Sequence, residues 1–238
     1  MTFARRVTSE VAGTALLLAA VVGSGIMGER LSGGNVAVAL LANAIATGTV
    51  LAAIIVAFGT ISGAHFNPVV TLADDIQGGI RWKQVPGYLL GQIFGAFIGV
   101  MAAHIMFGEP LFSASQHVRA GAAQLFSEFV ATFGLLSVIW GCSRSRSDSV
   151  AFAVGAYITG AYWFTASTSF ANPAVTLARS FTNTFSGIRP ADAPWFIAAQ
   201  LIGAFTATLL FQWLVPSLPK TAKDVVIPRP TKEAMHGR

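Results

Sequence analysis

Two stretches decide how this chain folds: Ser62-Gly63-Ala64-His65-Phe66-Asn67-Pro68-Val69-Val70-Thr71-Leu72-Ala73 and Ser169-Phe170-Ala171-Asn172-Pro173-Ala174-Val175-Thr176-Leu177-Ala178. Asn is a favoured N-cap, and Pro suits the first helical position because it has no N–H to leave unpaired. Each stretch therefore predicts a short helix starting at its Asn, over Asn67 to Ile76 and Asn172 to Phe181. About ten residues at 1.5 Å per residue reach roughly half the thickness of a bilayer. The residues leading in, Gly59 to Phe66 and Phe164 to Ala171, are rich in Gly, Ser, Thr and Ala and read as irregular backbone.

The surroundings are those of a membrane protein. Only 11% of the 238 residues are charged and the mean hydropathy is +0.65, where a soluble domain carries about a quarter charged residues. Six apolar runs are long enough to span: Val7 to Gly28, Asn35 to Phe58, Val85 to Phe107, Ala120 to Cys142, Ser149 to Phe170 and Ala193 to Val215. The first of them belongs to the repeat described next and reads as part of the fold, not as a cleavable leader. The net charge of +5 comes without a basic face or aromatic stacking pattern, so nucleic acid is not an expected partner. A single cysteine, Cys142, excludes an internal disulfide framework.

Three landmarks occur twice in the same order. Ser9-Glu10 with Thr14, Leu17 and Leu18 is echoed by Ser127-Glu128 with Thr132, Leu135 and Leu136. The Asn-Pro stretches are the second pair. Gln92 with Gly95-Ala96-Phe97 and Gln200 with Gly203-Ala204-Phe205 are the third. The chain thus reads as one transmembrane domain built by duplication, with repeats at about 7–107 and 120–215 and a polar tail over 216–238. Each repeat holds three spans, an odd number, so the second enters from the opposite face and the two short helices meet nose to nose at the centre. Irregular backbone there cannot face lipid and is expected to line a watery cavity, with the Asn67 and Asn172 amides as donors. The two helix N-termini, each equivalent to roughly half a positive charge, oppose cations. Eleven of the fifteen Lys and Arg fall on one side of the spans, against Arg30, Arg119, Arg179 and Arg189 on the other. The positive-inside rule then puts both termini in the cytoplasm, in a multi-pass protein of the cell inner (plasma) membrane.

The motif Ser62-Gly63-Ala64-His65-Phe66-Asn67-Pro68-Val69 and the motif Asn172-Pro173-Ala174 resemble those of the aquaporin and aquaglyceroporin (major intrinsic protein) family, over about Thr8 to Val215. The resemblance implies an all-α, right-handed bundle of six transmembrane helices plus two half-helices, one pore per subunit, a homotetramer, and no cofactor or enzymatic activity. It also implies that Val175 stands where the family's filter Arg usually sits. Spacing from the two Asn residues carries the other filter positions to Thr47, Gly160 and Ser169, with Ala46 and Gly48 as the neighbours of Thr47. A ring of Thr, Gly, Ser and Val implies a wide filter, passing glycerol-like polyols, urea, undissociated metalloid acids such as arsenite, and water. This filter is similar to that of the bacterial branch linked to arsenic resistance. A water-selective pore and an ion-coupled secondary transporter are the alternatives.

Other residues complete the expectation. Glu10 and Glu128 lie within spans and, by the resemblance, brace the pore-lining loops. His65 is expected in the pore lining. Arg179, one turn beyond Val175, either guards a vestibule or binds loop carbonyls and headgroups. Asp74 and Asp75 are read as partners for Arg81 or Lys83. His104 and His117 lack ligand spacing, so no metal site is expected.

Overall fold

A computed structural model describes residues 1–143 and 149–215. The basic loop with Arg144 and Arg146 and the polar tail from Pro216 lie outside the described residues. Eight helices follow in order: α1 Phe3–Leu31, α2 Val36–Ser62, α3 Pro68–Ile76, α4 Val85–Phe107, α5 Ala122–Ser143, α6 Val150–Phe164, α7 Pro173–Arg179 and α8 Ala193–Leu214, with a 3-10 turn at Trp82–Gln84. Five of them are long and apolar enough to cross a membrane. The sixth, α6, has 15 residues and stops at Phe164, well short of the expected Phe170.

The early end of α6 has a local cause. Thr165 turns its hydroxyl back to the Ala161 carbonyl (2.7 Å), and the N–H groups of Phe170 and Ala171 are captured by the Glu128 carboxylate, both at 2.9 Å. Ser and Thr side chains that bond nearby backbone compete with helix hydrogen bonds. The opposite correction applies to α2, which runs on through Gly59 to Ser62 and ends on Gly63 at φ 96°. A left-handed glycine is a common helix terminator. The irregular lead-in before Asn67 is therefore Gly63–Phe66 and does not start at Gly59.

The packing repeats itself. Helix α1 packs on α2 and α4, and α5 packs on α6 and α8. The two sets meet along α2 and α6, while the short helices α3 and α7 touch each other and both contact α4 and α8. Close helix approach depends on the paired glycines: a Cβ at Gly95 would run into the Val11 carbonyl, and one at Gly203 into the Phe129 carbonyl. Without a hydrophobic force between helices in lipid, such small residues permit backbone-to-backbone packing.

Gly203→Ala is expected to lower the melting temperature of detergent-purified protein, by an overpacking cost of about 1–3 kcal/mol that outweighs the better helix propensity of Ala. Gly160→Ala, whose new Cβ would meet open space, is the matched control and should leave the melting temperature where it is or raise it.

Candidate functional site

The site is built outward from the two asparagines. Asn67 caps α3 by accepting from Val69 N (3.1 Å), and Asn172 caps α7 by accepting from Ala174 N (3.0 Å) and Val175 N (3.3 Å). With each Oδ1 committed to its own helix, the amide nitrogens must point away. Asn67 Nδ2 donates to the Ala171 carbonyl, and Asn172 Nδ2 donates to the Phe66 carbonyl, both at 2.8 Å. The two helix starts are thus stitched together reciprocally. Each amide nitrogen keeps a second hydrogen, and both residues line one cavity of about 60 Å³. Pro68 and Pro173 occupy the first turns, and Val69 and Ala174 are buried in the main apolar cluster.

The lead-ins share one unusual backbone. Gly63, Ala64 and Phe66 have φ of 96°, 50° and 49°; Thr168, Ser169 and Ala171, each 105 positions later, have 61°, 51° and 47°. A left-handed conformation costs a non-glycine residue about 1–2 kcal/mol, so something must hold it. The holders are the two in-span acids. Glu10 accepts from Ser62 Oγ (2.6 Å), His65 N (3.1 Å), Phe66 N (2.7 Å) and Gln92 Nε2 (2.8 Å). Glu128 accepts from Phe170 N, Ala171 N and Gln200 Nε2 (2.6 Å). The glutamines also tie down the short helices, Gln92 through Thr71 Oγ1 and Gln200 through Thr176 Oγ1, both at 2.8 Å. Their part was visible in the sequence only as a repeated landmark.

The cavity lining is mixed. Leu17, Val21, Leu135, Ile139, Val154 and Ile158 supply apolar surface, while Asn67, Asn172, Ser169, Thr47, His65, Tyr162 and Arg179 supply polar groups. Ser169 is 3% exposed and its Oγ meets no partner within the described residues. Thr47 lines the cavity, whereas its neighbour Gly48 packs against Thr159 and Gly155 of α6. Val175 lines it too.

Gly160 does not. It is exposed, with no atom within 4 Å of where a Cβ would stand, and lies about 200° round α6 from Ile158. Counting back twelve positions from Asn172 crosses the irregular run 165–171, where residues do not advance at a fixed rise. The α6 residue nearest in sequence to Gly160 that lines the cavity on its C-terminal side is Tyr162, in step with Val154 and Ile158, which also line it, at intervals of four. That helical periodicity was the signal that would have found it. Tyr162 Oη donates to Thr47 Oγ1 at 3.2 Å, and both residues line the cavity.

His65 lines the cavity at the mouth reached by α3, with Nδ1 3.0 Å from Thr71 Oγ1 and Nε2 3.3 Å from Asp74 Oδ2. Asp74 is buried while Arg81 and Lys83 are exposed, which is why its partner is the histidine and not those cations. At the other mouth Arg179 is 2% exposed, lines the cavity, and donates from Nε to the Ser186 carbonyl. A strap over residues 109–120 closes over this end: Ser113 N and Ser115 N donate to Phe181 O (3.1 Å) and Ser180 O (3.0 Å), and His104 bridges Leu111 O (3.0 Å) and Thr182 Oγ1 (2.7 Å). Asp192 anchors the strap through Arg119 N (2.9 Å) and Arg189 (2.7 Å). Burial pushes its carboxyl up, but those bonds and the Arg189 charge outweigh it and hold it below the usual carboxylate range.

A helical bundle with two half-helices abutting on a cavity of mixed apolar and polar lining defines a polytopic membrane channel. The family described as Major intrinsic protein matches residues 1–149 and 140–236, and this chain belongs to that family, whose members are channels for water and small solutes such as glycerol. It is similar to aquaglyceroporin AqpS of Rhizobium meliloti, 51% identical over 216 residues covering 90% of this chain and 92% of the relative. A probable glycerol uptake facilitator protein of Thermotoga maritima is 28% identical over 181 residues, 66% of this chain and 76% of the relative. In fold it matches the X-ray structure of the aquaglyceroporin from Plasmodium falciparum with a TM-score of 0.71 at 19% identity, covering 91% of this chain and 99% of the other. The protein is an integral membrane channel, not an enzyme.

Glu128→Gln keeps the shape but turns an amide donor toward one of the Phe170 and Ala171 N–H groups. The unsatisfied pair is expected to cost about 1–3 kcal/mol, read as a lower melting temperature together with reduced solute flux in vesicles.

Proposed function

We propose that this channel passes small uncharged, hydroxyl-bearing solutes larger than water as well as water: glycerol-like polyols, urea, and undissociated metalloid acids such as arsenite. The observation that carries the proposal is the mixed apolar and polar lining of the cavity. A polyol has a carbon side and a hydroxyl side; Leu17, Leu135 and Ile158 suit the first, and the two Asn amides with the unpartnered Ser169 Oγ suit the second. Hydrated ions gain nothing from the apolar wall, and burying a charge without a partner is far more costly than burying a hydroxyl.

The selectivity ring we assign is Thr47, Tyr162, Ser169 and Val175. It carries no arginine at Val175, which leaves width, and a phenol in place of the expected glycine, which takes some of it back. Tyr162 is the one feature that favours the narrower, water-selective reading. An ion-coupled transporter would need acids facing the passage; Glu10 and Glu128 are instead committed to backbone N–H groups. The 11-to-4 distribution of cations supports cytoplasmic termini, and we place His65 at the inner mouth and Arg179 at the outer on that basis.

Stopped-flow light scattering on reconstituted vesicles with water, glycerol and arsenite tests the reading. Wild-type protein is expected to pass all three. Val175→Arg should cut glycerol and arsenite flux several-fold more than water, Tyr162→Ala should raise the glycerol-to-water ratio, and Gly160→Phe should change neither. Vesicles permeable to water alone would instead establish the water-selective pore.

A further inference from the structure

The duplication that relates the halves by 105 positions maps Asn67 onto Asn172 and Val70 onto Val175, and both valines line the cavity. It also maps the pair His65 and Asp74 onto Phe170 and Arg179. One mouth therefore has an acid held against an imidazole (3.3 Å), and the other has a guanidinium held against a phenyl ring (3.4 Å to its centroid). The same backbone position carries opposite charge at the two ends.

The setting of Arg179 is unlike that of a surface cation. Side chains on a helix tilt toward its N-terminus and lie over the preceding turn, so Arg179, the last residue of α7, leans back toward Val175. It lines the same cavity as Thr47, Tyr162, Ser169 and Val175. Only Nε has an acceptor, the Ser186 carbonyl; within the described residues the terminal nitrogens have none, and no carboxylate lies within ion-pair distance. The acids that might have neutralised it are engaged elsewhere: Glu128 by backbone and Gln200, Asp192 by Arg189 and Arg119. Arg119, over the same Phe170 ring at 5.0 Å, is committed to Gly187 O and Ser167 O and does not line the cavity. Stacking on Phe170 offsets part of the cost of an unpaired buried charge. The rest can be met only by what enters the cavity.

We propose that Arg179 is the ion-excluding charge of this pore, displaced one helical turn from Val175, so that width and charge are set by two residues. The inference deepens the neutral-solute reading above and rests on it. Val175, Tyr162, Thr47 and Ser169 limit the size of what passes. Arg179 repels cations at the mouth, ahead of the field from the two half-helix N-termini, and offers its terminal N–H groups to passing hydroxyls.

The test compares potassium conductance with glycerol flux in reconstituted membranes for wild type, Arg179→Met, Arg179→Lys, and Arg179→Met combined with Val175→Arg. Arg179→Met is expected to raise the potassium-to-glycerol ratio about tenfold or more, the scale set by one unit charge acting across several ångströms at an effective dielectric of about 20. Arg179→Lys keeps the wild-type ratio, although it loses the planar stack, and the double variant returns the potassium conductance itself to the wild-type level. Should Arg179→Met fail to yield monodisperse protein, Arg179→Gln, which retains a donor for Ser186, gives the same readout. A ratio unchanged in the neutral variants, or a Lys variant as leaky as they are, overturns the proposal. Wild-type protein that passes no glycerol defeats the neutral-solute reading first; a glycerol-permeable wild type with an ion-tight Arg179→Met defeats this inference alone.

Discussion

The structure depends on two carboxylates that satisfy backbone in the wrong conformation. Half-helices that start at the membrane centre must be reached by chain that is not helical, and that chain has N–H groups with no internal partner. Lipid supplies none, and each one left bare would cost several kcal/mol. Glu10 and Glu128 take the N–H groups of His65, Phe66, Phe170 and Ala171 from behind. Because these donors are taken up by the carboxylates, the polar part of the cavity lining is left to side chains, the two asparagine amides and the Ser169 hydroxyl among them. The acids are thus essential to the passage without standing in it.

The reciprocal bonds from Asn67 to Ala171 O and from Asn172 to Phe66 O complete the arrangement. Each asparagine caps its own helix with oxygen and holds the other repeat with nitrogen, so neither half-helix can shift without releasing the other. The third group is a side-chain triad repeated in each half, glutamine to carboxylate and glutamine to threonine. A fold with a pseudo-two-fold axis has to solve each of these problems twice, and it does so with the same residue types and nearly the same dihedral angles.

That repetition is why so much was legible in the sequence. Asn-Pro, the in-span glutamates, the glutamines and the paired glycines recur in register, and inversion follows from counting spans. What counting missed lies where the rise per residue is not constant. Thr47 was located from Asn67 across an almost wholly helical stretch, and it faces the cavity; Gly160 was located from Asn172 across seven irregular residues, and it faces away. The end of α6 was missed for a related reason. Phe164 to Phe170 is mostly Ser, Thr and Ala and also read as irregular backbone, yet the sixth span was drawn through it; Thr165 and the carboxylate of Glu128, 42 residues before Phe170 in the chain, end the helix early.

The departures from pseudo-symmetry are as informative as the symmetry. Where two halves keep Glu, Gln, Thr and Asn, the scaffold admits no choice, because each is a partner for backbone or for another of the set. Where they differ, at His65 and Phe170 or at Asp74 and Arg179, the scaffold is indifferent and the difference has to be sought in the passage. The first half buries an acid beside a ring nitrogen able to answer it; the second buries a base over a ring face that answers only in part. A structure under no demand but stability would have paired the arginine as it paired the aspartate, and the unpaired one opens onto the cavity.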